Sequence, residues 1–158
     1  MQADGYELRR AADGKGDGVF ALRGFRLGET VMVGTIQRRL KANHSHATQV
    51  GRCEYVQLGG LCATVNHSCD PNCGVWVNST GAPDLVARVD IAAGEEITFD
   101  YAMRNYSVDN FAIRCRCHAR TCRGSVTGWK DLSDDRKAAY AGLVAPYLIE
   151  MDAEMLLE

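Results

Sequence analysis

Asn66-His67-Ser68-Cys69-Asp70-Pro71-Asn72-Cys73 is the stretch around which this chain is organised. Two later stretches answer to it. One is Gly94-Glu95-Glu96-Ile97-Thr98-Phe99-Asp100-Tyr101, the other Cys115-Arg116-Cys117-His118-Ala119-Arg120-Thr121-Cys122-Arg123-Gly124. Each is ambiguous alone, but their order and spacing together are specific.

Around them the pattern is that of short strands between turns. Glu54-Tyr55-Val56-Gln57-Leu58 alternates with period two, as a half-buried strand does, and Gly59-Gly60 ends it. Tyr6–Arg10, Val19–Leu22 and Glu29–Val33 read as strands, with Gly14–Gly18 and Gly28 in turns. Downstream, Gly74–Val77 and Leu85–Val89 form a strand pair across a linker holding Asn78, Gly81 and Pro83. Ile97–Phe99 is the next strand. Residues 38–52 are polar and read as a loop or poorly formed helix, with His44 and His46 exposed in it. Near the end, Ser133 is a good N-cap, followed by Asp134 and Asp135 where the helix dipole favours them. Tyr140, Leu143, Val144, Tyr147 and Leu148 then fall at helical spacing and read as core, with Pro146 breaking or kinking the run. The fold class expected is therefore mainly β with a C-terminal helix.

The 158 residues suit one domain with a substantial core. No apolar run approaches the roughly 18 residues of a membrane span, so no membrane contact is expected. The N-terminus Met1–Gly5 lacks a basic region followed by an apolar stretch, which argues against a signal peptide and for an intracellular protein, cytoplasmic or, in a eukaryote, nuclear. The net charge is −2, from 18 Lys+Arg and 20 Asp+Glu. No basic block supports direct nucleic-acid binding. Residues 130–158 carry seven acidic and three basic side chains, which read as a solvated helix face.

Seven cysteines is an odd, high count, and three of them lie within the eight residues Cys115–Cys122. Without a signal peptide, this density favours a metal over disulfides. Structural zinc takes four tetrahedral ligands, so Cys115, Cys117 and Cys122 need a fourth. Cys69 is the best candidate, with Cys73, His67 and His118 as alternatives. Arg116, Arg120 and Arg123 offset the net charge of four thiolates around a dication.

Together the three stretches resemble the SET-domain protein-lysine methyltransferases that carry a post-SET zinc motif. Asn66–Asn72 is similar to the family's N-H-S-C-x-P-N, Gly94–Tyr101 to its G-E-E-L-T-[FY]-D-Y, and Cys115–Gly124 to the post-SET C-x-C-x-x-x-x-C-x-G. Gly14–Ala21 is similar to the opening G-x-G turn. The resemblance implies short curved β-sheets around a pseudoknot plus a post-SET zinc turn. It divides the chain into a SET domain over 1–112, a post-SET motif over 113–128 and a C-terminal helical segment over 129–158, which would cover the active site or make a homodimer contact.

It further implies S-adenosylmethionine held by Lys15, Gly16, Asp17 and Gly18 in the first turn and by Asn66 and His67. Tyr101 would be catalytic. Phe99 would set product specificity, Trp129 would wall the lysine channel, and Cys69, Cys115, Cys117 and Cys122 would bind zinc. The partner is a lysine-bearing protein or peptide such as a histone. Phe99 lacks the hydroxyl with which a tyrosine would hold a crowding water, so di- or trimethylation is expected. The alternative is a catalytically silent, zinc-stabilised interaction module. Retention of Asn66, His67 and Tyr101 together argues for the enzyme.

Overall fold

The computed structural model describes residues 5–10, 16–42, 47–108 and 113–157. His44 and His46 lie outside the described residues. The strands are β1 (Tyr6–Arg10), β2 (Asp17–Ala21), β3 (Thr30–Met32), β4 (Ile36–Leu40), β5 (Thr48–Gly51), β6 (Glu54–Leu58), β7 (Asn66–His67), β8 (Cys73–Val77), β9 (Pro83–Ala87), β10 (Glu96–Phe99), β11 (Ile113–Arg114) and β12 (Ser125–Val126). Single 3-10 turns cover Gly60–Thr64, Tyr101–Met103 and Trp129–Asp131. Two helices close the chain, α1 (Asp134–Ala139) and α2 (Pro146–Met155).

Among the described residues these strands form small sheets in the orders β1-β2-β10-β7, β3-β9-β8, β4-β6-β5 and β11-β12. The parallel pairing of β10 with β7 matters most. It sets Thr98 against Asn66 and Phe99 against His67. Asn72 reinforces it, donating from Nδ2 to the Glu96 carbonyl at 2.8 Å and accepting the Thr98 N–H at 2.9 Å. Two stretches thirty residues apart are thereby locked side by side.

Among its described residues, the polar stretch 38–52 holds the end of β4 and all of β5 rather than a helix. β4 and β5 flank β6, whose Val56 and Leu58 are buried. Arg38 and Arg39 point outward from an edge strand, so polarity there reflects an exposed face rather than an absence of pairing. In the C-terminal segment one expected helix is two. The Ser133 Oγ caps α1 by accepting the Arg136 N–H, but α1 stops at Ala139, with Gly142 in the left-handed region at φ +85°. Pro146 does not kink a helix. It stands in the first turn of α2, where its missing N–H leaves no hydrogen bond unmade.

The core gathers Val19, Phe25, Val56, Val75, Ile97, Phe99, Met103, Trp129, Tyr140 and Leu148, so α2 and the residue that ends α1 contribute to it. Gly34 marks a close backbone approach, because a Cβ there would overlap the Pro83 carbonyl. Gly34→Ala is therefore expected to destabilise the fold by about 1–3 kcal/mol, readable as a lower urea midpoint, while Gly28→Ala, where nothing lies near, carries only the backbone strain of φ +88°.

Candidate active site

The β10–β7 pairing delivers Tyr101 to His67. The Tyr101 backbone N–H donates to His67 Nδ1 at 3.1 Å, and the rings meet edge to face at 5.2 Å. That acceptor role fixes the tautomer: the ring proton is on Nε2, which faces Cys69 Sγ at 3.4 Å. Burial holds the imidazole neutral, with its pKa lowered to about 4. The Tyr101 hydroxyl donates to the Val65 carbonyl at 3.0 Å, and the Phe99 ring centroid lies 5.0 Å from that of Tyr101. Burial pushes the phenol above its usual pKa, so at neutral pH it is a hydroxyl with its lone pairs free to orient a partner.

Asp100, between them, is fully buried. Arg123 forks it with bonds of 2.6 and 3.0 Å, Ala102 N–H caps it at 3.0 Å, and Tyr140 donates its hydroxyl at 2.8 Å. Burial alone would raise this carboxyl, but the guanidinium outweighs it and holds the pKa below the ordinary value. Arg123 therefore does more than offset thiolate charge. It ties the cysteine cluster to the residue preceding Tyr101.

The four cysteines do converge. The sulfurs of Cys69, Cys115, Cys117 and Cys122 all lie within 4.8 Å of one another, with Cys69 and Cys115 3.7 Å apart. A tetrahedral S4 site with bonds of ~2.3 Å puts its sulfurs about 3.8 Å apart. Backbone N–H groups of Ala119, Arg123 and Gly124 point at Cys117, Cys69 and Cys122 at 3.4–3.5 Å. Burial raises the Cys69 and Cys115 thiols, whereas backbone and neighbouring thiol hydrogen bonds bring Cys117 down to about 6 despite burial. Such a set ionises fully only around a cation, and the donor set fits zinc. The alternatives fall away: Cys73 is buried in the core with its pKa pushed up to about 12, and neither His67 nor His118 is in the cluster.

In the first glycine turn, Lys15 lies outside the described residues. Asp17 and Gly18 belong to β2 rather than to a turn. Asn66 Nδ2 donates to the Asp17 carbonyl at 2.9 Å and to Glu96 Oε1 at 2.8 Å, so the turn and the Asn66 stretch do meet. A Cβ on Gly18 would run into Glu96 Oε1 and come within 3.1 Å of Asn66 Nδ2. At Gly16, φ is +84°, and among the described residues no atom beyond its chain neighbours stands within 4 Å of where a Cβ would be. Trp129 is 3 % exposed. Its N–H donates to the Asn105 carbonyl at 2.9 Å and its Nε1 to Asp152 Oδ2 at 2.8 Å.

The sequence did not single out Asp152. Read as part of a solvated acidic face, it instead also takes Lys137 Nζ at 2.8 Å and the Tyr106 hydroxyl at 3.2 Å. Nor did a motif announce Tyr140 as a ligand of Asp100, or Arg104, whose guanidinium covers the Phe99 ring at 4.5 Å. The partners of Asp152 and Tyr140 come from distant segments, so no local pattern could have found them.

Residues 16–102, more than half of the chain, match the model of the SET domain family. Over 77 residues the chain is 42% identical to the histone-lysine N-methyltransferase ash1 of Drosophila melanogaster, covering 46% of this chain and 3% of that one. It is 32% identical over 114 residues to an H3 lysine-36 specific histone-lysine N-methyltransferase of Cryptococcus neoformans, covering 65% and 13% respectively. An H3 lysine-4 specific enzyme of Saccharomyces cerevisiae is 38% identical over 69 residues, 42% of this chain and 6% of its own. The chain thus spans a small fraction of the length of the curated relatives it matches. Among solved structures, KRYPTONITE in complex with mCHH DNA, an H3(1-15) peptide and SAH superposes with a TM-score of 0.57 at 24% identity, over 77% of this chain and 29% of that one. That likeness concerns the fold. Among the described residues no helix is long and apolar enough to cross a membrane.

Proposed function

Given that the chain belongs to the SET domain family, we propose that it is an S-adenosylmethionine-dependent protein-lysine methyltransferase acting on a histone or similar lysine-bearing substrate. The observation that carries this reading is the placement of Tyr101. Strand pairing and the bond to His67 Nδ1 bring it beside Asn66, and its hydroxyl is anchored on Val65 O. Gly16 and Gly18 with Asn66 and His67 would hold the methyl donor, Lys15 and Asp17 contributing from the same turn. S-adenosylmethionine, when bound, supplies a methyl group on a sulfonium sulfur.

What the chain must do is present a neutral amine in line. Free lysine has a pKa of about 10.4. A channel walled by Phe99, Tyr101 and Trp129 strips water from the ammonium and so favours the amine. The Tyr101 oxygen, its proton committed to Val65, directs a lone pair at the reacting centre and fixes orientation, which supplies much of the acceleration. It acts as a dipole and not as a strong base, consistent with a phenol pKa raised by burial. Zinc on Cys69, Cys115, Cys117 and Cys122 would be structural.

Phe99 is fully buried and brings no hydroxyl to the site, which supports di- or trimethylation. The deciding experiment is transfer of labelled methyl groups from S-adenosylmethionine to purified histones, with mass mapping of the products. Higher methyl states are expected from the wild type, and Phe99→Tyr is expected to shift them toward monomethyl. Unchanged product ratios would remove Phe99 from product control. Binding of S-adenosylmethionine without transfer to any histone or lysate protein would leave the silent module instead.

A further inference from the structure

Arg104 follows the 3-10 turn that begins at Tyr101 and is 9 % exposed. Its guanidinium carbon lies 4.5 Å from the Phe99 ring centroid and 5.6 Å from that of Tyr101. Its Nε is buried with no hydrogen-bond partner, and among the described residues the side chain takes part in no ion pair. Its backbone is held firmly, because the Tyr147 hydroxyl on α2 donates to its carbonyl. The titratable groups that face it are Tyr101, Tyr147 and Cys62 from the Gly60–Thr64 turn, and none is a carboxylate. Burial pulls its pKa below the usual arginine value, yet a guanidinium keeps its proton inside proteins.

A buried charge ordinarily has an opposite charge beside it. Arg123 has Asp100. Among the described residues Arg104 has the aromatic rings and the Cys62 thiol instead, and the Phe99 and Tyr101 faces it covers are those that would line the lysine channel. A cation fixed there repels a second cation far more effectively than it would in water, because little solvent screens the pair.

We propose that Arg104 is a positioning residue whose unpaired charge, seated on Phe99 and Tyr101, admits the substrate lysine as the neutral amine and disfavours its ammonium. This rests on the reading of Phe99 and Tyr101 as channel walls. At a separation of roughly 8 Å and an effective dielectric constant near 20, like-charge repulsion lowers an amine pKa by about one and a half units, roughly a thirtyfold gain in reactive amine at neutral pH.

The test is kcat against pH at saturating S-adenosylmethionine and histone H3 for wild type, Arg104→Met and Arg104→Lys. The rising limb of Arg104→Met is expected about one and a half pH units higher, with kcat about thirtyfold lower at pH 7 and converging on the wild type at high pH. Arg104→Lys is expected to restore most of the limb, which a merely structural role would not require. A loss of the same factor at every pH, or an unmoved limb, overturns the proposal.

Should the methionine variant not fold, the wild type decides alone. It is loaded with S-adenosylhomocysteine, which carries no sulfonium charge, and titrated by calorimetry at pH 8 in two buffers of different ionisation enthalpy. The ligands are an H3 peptide and its norleucine counterpart at the mapped lysine. An extra release by the lysine peptide of about a tenth of a proton at pH 8, rising to about half a proton or more when the titration is repeated at pH 9, supports the proposal, and none at pH 9 sinks it. If the wild type transfers no methyl group at all, the methyltransferase reading fails and takes the role of Arg104 with it. An active wild type with an unmoved limb removes Arg104 only.

Discussion

Tyr101→Phe is expected to lower kcat for methyl transfer about 100-fold or more while leaving S-adenosylmethionine affinity within a few-fold of wild type. The reason lies in what the hydroxyl does. It is committed as a donor to Val65 O, and its ring is wedged between Phe99 and His67. Deleting one oxygen removes a fixed dipole from the reacting centre and leaves the ring packing intact. The backbone bond from Tyr101 N–H to His67 is untouched, so the loop that would hold the methyl donor keeps its shape. The fold should therefore survive with a loss of about 1 kcal/mol, the net worth of one hydrogen bond. Single-turnover rates and calorimetric titration with S-adenosylmethionine separate the two quantities. Full activity in a folded variant would take Tyr101 out of the mechanism.

Removing the zinc proposed for Cys69, Cys115, Cys117 and Cys122 is expected to have the largest effect on stability. Stripping the metal with a chelator, or making Cys117→Ser, leaves a cluster of thiols that no longer holds Arg123 in place, since the Arg123 N–H is aimed at Cys69 Sγ and its side chain at Asp100. Asp100 then keeps a buried negative charge with one partner fewer, and breaking such a pair costs about 3–5 kcal/mol. Unfolding curves with and without chelator, alongside metal analysis of the purified chain, measure it. Stability indifferent to chelation, or a chain that carries no zinc when purified in its presence, would refute the assignment. Activity should fall together with order in residues 113–128, because the same arginine supports the residue next to Tyr101.

Much of this architecture was readable from residues alone, and the reasons are physical. Period-two alternation found β6 because Val56 and Leu58 face the core while Tyr55 and Gln57 are half exposed. The Cys-x-Cys spacing pointed to a metal because free thiols this dense would be an oxidation hazard, and Cys69 was the best candidate for the fourth ligand. β4 stayed hidden since Arg38 and Arg39 occupy the exposed face of an edge strand, where polarity carries no information about pairing. Pro146 was taken for a helix breaker because the same ring that ends one helix is well suited to begin another. Asp152 and Arg104 were invisible for a different reason. Each draws its meaning from segments that only the tertiary fold brings near, Trp129 and Tyr106 for the first, Cys62 and Tyr147 for the second.

The burial of Asp100 has a consequence for biosynthesis. Its counterion is Arg123 and its third donor is Tyr140, so the carboxylate at the heart of the molecule has no complete set of partners until the final third of the chain has left the ribosome. A nascent or truncated polypeptide ending near residue 112 would hold an uncompensated charge in a half-built interior. The stretch that matches the family model, 16–102, is thus too short to serve as an autonomous folding unit, and expression trials cut to that boundary should yield insoluble or protease-sensitive material.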